Sequence, residues 1–388
     1  MIGGPRTIGV VSVSRADYSI CLPVLRRIQA DSDLKLHLII SGMHLSPEFG
    51  STVDAIVADG FNIGDRVEML LSADTPEGIA KSMGLGTIGF AQVFARTRPD
   101  ILIVAADRFE MHAAAVAALP FKIPVAHIEG GDLTEGAIDD ALRHSMTKLS
   151  HLHFVSTDEY AGRVKQLGEE PWRVIVSGAP SLDNLKSFTL LSADELEQKY
   201  NVAMKPSPLL VTFHPVTLEY EEAGYQISEL LAALEKFDAP IIFTRPNADT
   251  HGRIIDKEIR RFVDSHPSAH LVGNFGARDY WSVMSLAGVM VGNSSSALIE
   301  APSLKVPAVN VGNRQRGRLR ARNVIDVGYS RDEIARGIEK ALDPDFRKGL
   351  RDLTNPYGAG DAAEKIVERL KTVNLTDGNI LSKRFHDQ

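Results

Sequence analysis

Cysteine is all but absent: Cys21 is the only one in 388 residues. That excludes an internal disulfide framework and any zinc site built on several thiolates, and it fits a reducing cytoplasm. Long apolar runs are missing too. None approaches the roughly 18 residues of a membrane span, and Arg15 and Asp17 interrupt the N-terminal stretch too early for a secretory signal. Positive charge is in short supply, with 43 Lys and Arg against 50 Asp and Glu and a net charge of −7. Binding of nucleic acid through bulk charge is therefore not expected. No GxxxxGKS/T loop, HExxH helix or CxxC pair occurs, so neither a metal nor a cofactor is expected. What is present is an ordinary globular composition, 44% hydrophobic and 24% charged. Its length suits two domains of about 100–200 residues each.

Short runs of Val, Ile and Leu alternate with segments of helical period nearly from end to end. Strands are expected at 7–13, 35–41, 101–106, 125–128 and 152–156, then at 209–213, 241–244, 271–273, 289–292 and 306–311. These runs are apolar throughout rather than alternating, as strands buried on both faces of a parallel sheet are. Helices such as 22–31 and 225–236 supply the crossovers. The pattern predicts two doubly wound, Rossmann-like α/β domains, 1–183 and 184–360, with the weakest periodicity and the hinge at 178–192. A helix and tail follow from 361 to 388, the part beyond Leu375 expected to be frayed. A shared ligand is expected in a cleft at the carboxyl ends of both sets of strands.

One motif is a decoy. Gly84, Gly86 and Gly89 spell GxGxxG with Asp107 downstream, but a dinucleotide fingerprint follows a strand, and residues 76–83 read as helix. The strand ends are more informative. ILIVAA ends in Asp107-Arg108, PVAHI ends in Glu129-Gly130-Gly131-Asp132, and Asp139-Asp140 opens a helix bearing Arg143 and His144. Each acid alone could be a helix cap or a solvated carboxylate; three on one sheet edge point to a site. In the second half, LLVTF ends at His214 and GVMVG ends at Asn293-Ser294-Ser295-Ser296 before a helix bearing Glu300. Serines opening a helix suit either a cap or an anion. PAVNVG leads to Arg314, the first of five arginines at alternate positions, of which only the first one or two are expected to face a ligand as a phosphate grip. The first strand ends at Ser14-Arg15, again at a helix start. Of the histidines, only His127 and His214 sit at or near strand ends.

SRADYS, ADRFE, HIEGGDLTEGAIDDALRHSMTKLSHLHF, TFHPVT, GNSSSALIEAP and NVGNRQRGR occur in this order. Together they resemble the hydrolysing UDP-N-acetylglucosamine 2-epimerases of sialic and nonulosonic acid biosynthesis, over roughly Thr7 to Leu370. The resemblance implies the GT-B architecture, with a C-terminal helix crossing back to the first domain. It also implies a homodimer, and a nucleotide-sugar substrate converted by elimination to a glycal and rehydration, with UDP released. It places the catalytic carboxylates at Asp107, Glu129 and Asp139, and nucleotide contacts at Arg15, Arg108, His214, Ser294, Ser295, Glu300 and Arg314. The uracil falls along residues 275–280, from Phe275 to a stacking Tyr280. Two positions depart from the family pattern: Ala106 stands where the family has glycine, and ARDYW differs around the base. Other readings of the same residues are a non-hydrolysing epimerase, a GT-B glycosyltransferase, or a silent nucleotide-sugar binder.

Overall fold

The apolar runs fold as parallel strands of two separate sheets. The computed structural model describes residues 4–50, 52–376 and 378–387. It divides into two units: one takes the chain up to Asp132 with Asp139–Ser187 and Tyr357–Gln388, the other Leu133–Ile138 and Phe188–Pro356.

The first unit contains β1 (Arg6–Ser12), β2 (Leu34–Ser41), β3 (Ile63–Val67), β4 (Ile101–Ala105), β5 (Val125–Ile128), β6 (Leu152–Val155) and β7 (Val174–Val176). They lie side by side in the order β3-β2-β1-β4-β5-β6-β7, with Val10 of β1 opposite Leu38 of β2 and Ile103 of β4. Every residue of β4 and β5 is buried, each aliphatic side chain contributing roughly 1.5–3 kcal/mol. The second unit contains β8 (Leu209–Thr212), β9 (Ile241–Thr244), β10 (Ala269–Val272), β11 (Val289–Gly292), β12 (Ala308–Val311) and β13 (Val324–Val327), in the order β10-β9-β8-β11-β12-β13. Its core joins Val211, Phe243, Val291 and Val309 to Ile227 and Leu230 of the helix Ala223–Leu234. In each sheet the order reverses once, between β1 and β4 and between β8 and β11. Open parallel sheets bind ligands at the strand ends of such a switch point.

The GxGxxG glycines lie inside the helix Pro76–Arg96. A Cβ on Gly86 would stand 2.5 Å from Met69 Cε, and one on Gly89 2.6 Å from Val67 Cγ1. These glycines let the helix lie close against the chain at and just after β3; they hold no phosphate.

Three strands escape the sequence reading: β3, β7 and β13. All are sheet edges, and Val67 is the only buried residue in them. An edge strand with half-exposed faces has no continuous apolar run to reveal it. The tail beyond Leu375 is a second correction: its described residues around 379–383 are tied down rather than frayed, and residues 377 and 388 lie outside the described ones. The buried Arg173 guanidinium donates to the carbonyls of Ile380 (2.8 Å), Asn379 (2.9 Å) and Ser382 (3.2 Å). Lys383 Nζ donates to Ser150 O and Glu169 Oε2, each at 2.7 Å. Burial alone would raise the Glu169 carboxyl, but His153, Lys148 and Lys383 outweigh it and hold the group well below the usual carboxylate range.

The helix Ala362–Thr372 returns to the first unit and packs along Arg15–Ala30. Asp183 caps it, accepting from the backbone N–H of Ala363 (2.8 Å) and Ala362 (3.1 Å). Lys371 reaches Asp31 at 2.9 Å, and Arg6 donates to Val373 O at 3.0 Å. Among the described residues no helix is long and apolar enough to cross a membrane, and no three acidic, His or Cys side chains are grouped to hold a metal.

Candidate active site

Three strand ends of the first unit carry its polar centre. After β1, the buried Asp17 carboxylate accepts from Ser14 N and Ser14 Oγ (2.6 Å each), Ser12 Oγ (2.7 Å) and Val13 N (2.9 Å). This set of bonds fixes the turn that starts the helix at Arg15, a half-buried residue in its first turn. After β4, Ala106 adopts the left-handed conformation, φ +60°, which a glycine would take without strain. Asp107 follows and forms a salt bridge with Arg143 of the helix Asp139–Leu149. The Arg143 side chain is 1% exposed, and Asp107 is 17% exposed. Arg143 Nε and Nη1 have no hydrogen-bond partner.

After β5, Glu129 is buried and also left-handed at φ +63°. A non-glycine residue held in that region costs of order 1–3 kcal/mol and persists only where its surroundings dictate it. Asp139 opens the helix of Arg143 and is buried; four residues apart, the two share a helix face. The cap and solvated-carboxylate readings fail for Asp107 and Glu129, while Asp139 keeps the helix-start place that a cap reading gives it. Asp107 pairs with an arginine, Glu129 is not solvated, and the cap position of the helix Phe109–Ala118 is Arg108.

Arg108, one of the expected anion contacts, is paired within its own helix start. Its guanidinium engages the fully buried Glu110 through two bonds, at 3.0 and 3.1 Å. Glu110 fixes the orientation of this fork.

In the second unit a loop hub follows β8 and β11. The buried Asn293 side chain clamps the His214 backbone: its Oδ1 accepts from His214 N and its Nδ2 donates to His214 O, both at 2.8 Å. The Asn293 carbonyl accepts from Gln315 Nε2 (2.8 Å) and Arg314 Nη1 (3.2 Å). His214 Nδ1 accepts from Asn247 N at 3.2 Å, which places the neutral ring's proton on Nε2 and makes that atom a donor. Gly136, reaching in from Leu133–Ile138, runs against the same loop. A Cβ there would lie 2.4 Å from Asn313 O and 3.0 Å from Arg314 Cα.

The arginine run behaves as its chemistry suggests. Arg314 turns into the hub, whereas Arg316 pairs with Glu135, Arg320 with Asp326 and Arg322 with Asp352. Arg318 is buried on Gln315 Oε1 at 3.1 Å.

The serine segment differs from expectation. The helix it opens is only Ser296–Ile299, with Glu300 between it and the next short helix Ala301–Leu304. Four residues sum to little macrodipole, so an anion would rely on local donors. Ser296 Oγ lies 2.7 Å from Tyr280 OH and 2.9 Å from Ser294 Oγ, and Ser295 is the residue before the helix. Phe275 is buried edge-to-face on Tyr200, ring centroids 4.8 Å apart, so its ring belongs to the core. Tyr280 is tied through its hydroxyl to the serines, and Glu300 lies close enough to help burial hold its phenol proton on.

The structure thus gathers Asp107, Glu129 and Asp139 on one sheet edge of the first unit. It gathers His214, Ser294, Tyr280 and Arg314 on one of the second. Sequence reading noted Arg143 and Asn293 without giving either a role. The signal for Arg143 was its four-residue offset from Asp139; Asn293 was marked only by its place after β11.

Comparison with known proteins gives this geometry its context. The family model described as UDP-N-acetylglucosamine 2-epimerase matches residues 26–371. The GDP/UDP-N,N'-diacetylbacillosamine 2-epimerase (hydrolyzing) of Campylobacter jejuni is 39% identical over 386 residues, covering 98% of this chain and 99% of that protein. The UDP-N,N'-diacetylbacillosamine 2-epimerase (hydrolyzing) of Legionella pneumophila is 35% identical over 378 residues, with 97% and 98% covered. A solved UDP-GlcNAc 2-epimerase from Neisseria meningitidis, bound to UDP-GlcNAc, shares the GT-B type fold at a TM-score of 0.80. It is 21% identical, with 94% and 99% covered. With matches of this extent, the chain belongs to the UDP-N-acetylglucosamine 2-epimerase family, and the two relatives named are described as hydrolysing.

Proposed function

We propose that the chain is a hydrolysing 2-epimerase that converts a UDP-linked 2-acetamido sugar and water to the free 2-epimer and UDP. The observation that carries this reading is the set of first-unit acids, with Glu129 and Asp139 buried, Asp107 salt-bridged to Arg143 and Glu129 held in a strained turn. Diacetylbacillosamine is the first sugar to try, because both hydrolysing relatives carry its name; N-acetylglucosamine is the second.

The chemistry explains the residue types. The hydrogen on C2 is not next to a carbonyl, so a carboxylate cannot simply remove it. Breaking the C1–O bond sends its electron pair to the diphosphate and leaves an oxocarbenium-like centre that acidifies that hydrogen. A carboxylate then takes the C2 proton, giving a glycal. Water returns hydroxyl to C1, and a second acid delivers a proton to the opposite face of C2. Fixed donors on the departing diphosphate are often the largest catalytic contribution, and each proton-transfer group adds about 10²–10⁴-fold. In this reading Asp107, Glu129 and Asp139 serve the sugar. Arg15, His214, Ser294, Ser295 and Arg314 serve the diphosphate, with Glu300 and Tyr280 toward the nucleoside.

Isotopic water tests it. In D₂O enriched in ¹⁸O, the free sugar is expected to carry one deuterium at C2 and inverted configuration there, and the UDP no heavy oxygen. Protium retained at C2 would sink the elimination, and deuterated sugar still attached to UDP would identify a non-hydrolysing epimerase. Run in parallel, UDP-diacetylbacillosamine is expected to give a higher kcat/KM than UDP-N-acetylglucosamine.

Arg314→Ala is expected to weaken UDP binding by about 1.5–3 kcal/mol, the value of a charge-assisted contact, and to raise KM accordingly. Calorimetry with UDP reads this directly; unchanged affinity would make Arg314 part of the solvated face formed by its neighbours.

A further inference from the structure

We propose that His127 is a positioning residue for Asp107, acting through the carbonyl of Ala106. The inference rests on the function proposed above. His127, in β5, is completely buried, and its Nε2 donates to Ala106 O at 2.8 Å. The adjoining bond runs the other way, Ala106 N donating to Ile128 O at 2.9 Å. Strand β5 therefore holds both peptide units that flank Ala106, in a conformation its Cβ disfavours. Asp107 is the next residue, so the direction of its side chain is set by this turn.

The ring does nothing else visible. Among the described residues its Nδ1 has no hydrogen-bond partner, and burial pushes the imidazolium pKa down to about 3, so the ring is neutral with its proton on Nε2. A histidine serving only as core filling needs no relation to Ala106. A histidine serving the turn is coupled to that residue, and the coupling is measurable.

His127→Leu removes the donor while keeping an apolar side chain of similar size. It is expected to lower kcat by about 10–100-fold, as a misplacement near 1 Å does, with KM and UDP affinity within about threefold. Ala106→Gly added to it should recover about tenfold or more of kcat, because glycine takes φ near +60° without a clasp. His127→Gln, whose amide nitrogen can occupy the Nε2 position, should stay within about tenfold of the parent. If His127→Leu does not fold, the comparison passes to His127→Asn, whose shorter amide falls short of Ala106. It should be slower than Gln and be rescued by Ala106→Gly. A double variant no faster than its His127 parent would overturn the proposal, and so would a loss shared equally by UDP affinity. Absence of turnover in the parent protein would instead remove the function it rests on, so the two failures are told apart.

Discussion

Asp107→Asn is expected to lower kcat by about two to four orders of magnitude, the usual cost of losing a proton-transfer group. UDP affinity should change by no more than a few-fold, because the diphosphate donors named above lie on other loops. The amide keeps the shape of the carboxyl and one acceptor for Arg143, so geometry is disturbed little. Charge is another matter. The Arg143 guanidinium, 1% exposed, loses its carboxylate, and an uncompensated buried charge is strongly destabilising. The variant should therefore be assayed well below its own melting temperature, with UDP binding as the check on folding. Normal turnover under those conditions would take Asp107 out of the mechanism.

The reciprocal change is expected to have the largest effect on stability. Arg143→Leu should cost about 3 kcal/mol, the lower end of what breaking a buried pair by removing one partner costs. The lower end applies because the Asp107 side chain keeps 17% exposure and some hydration. Activity should fall as well, since the carboxylate loses the partner that fixes it. Urea denaturation followed by circular dichroism gives the number. A shift smaller than about 1 kcal/mol would mean that the pair behaves like an exposed one, screened by water.

Legibility in the sequence followed burial. Strands β4, β5 and β11 were readable because both faces are apolar, so no polar alternation masks them. Edge strands β7 and β13 have no fully buried residue and too few residues to form a pattern. The acids stood out because carboxylates end two neighbouring buried runs, at Asp107 and Glu129, and a third, Asp139, opens the helix that follows. Their partners did not, since a pair such as Asp107 with Arg143, 36 residues away, leaves no local trace. Ala106 shows both sides of this. Its departure from glycine is visible in the sequence, but only the backbone angle of +60° says what the departure costs and why His127 is needed. The serine segment misled in the opposite sense, because a helix start was legible and its length of four residues was not.

The tail bound on Arg173 has a consequence for how the protein is made. Ser382 is 209 residues beyond Arg173, and a ribosome adds about 5–20 residues per second. For roughly 10–40 s, at that rate, the nascent first unit holds a guanidinium site whose carbonyls have not been synthesised. The main part of the second unit, Phe188–Pro356, emerges within that interval. Folding order thus runs against chain order: the inserted unit can finish first, and the unit bearing the carboxylates is completed only when the last thirty or so residues arrive. A ribosome stalled late in the message would display a first sheet complete in its strands but not yet covered by the helix Ala362–Thr372.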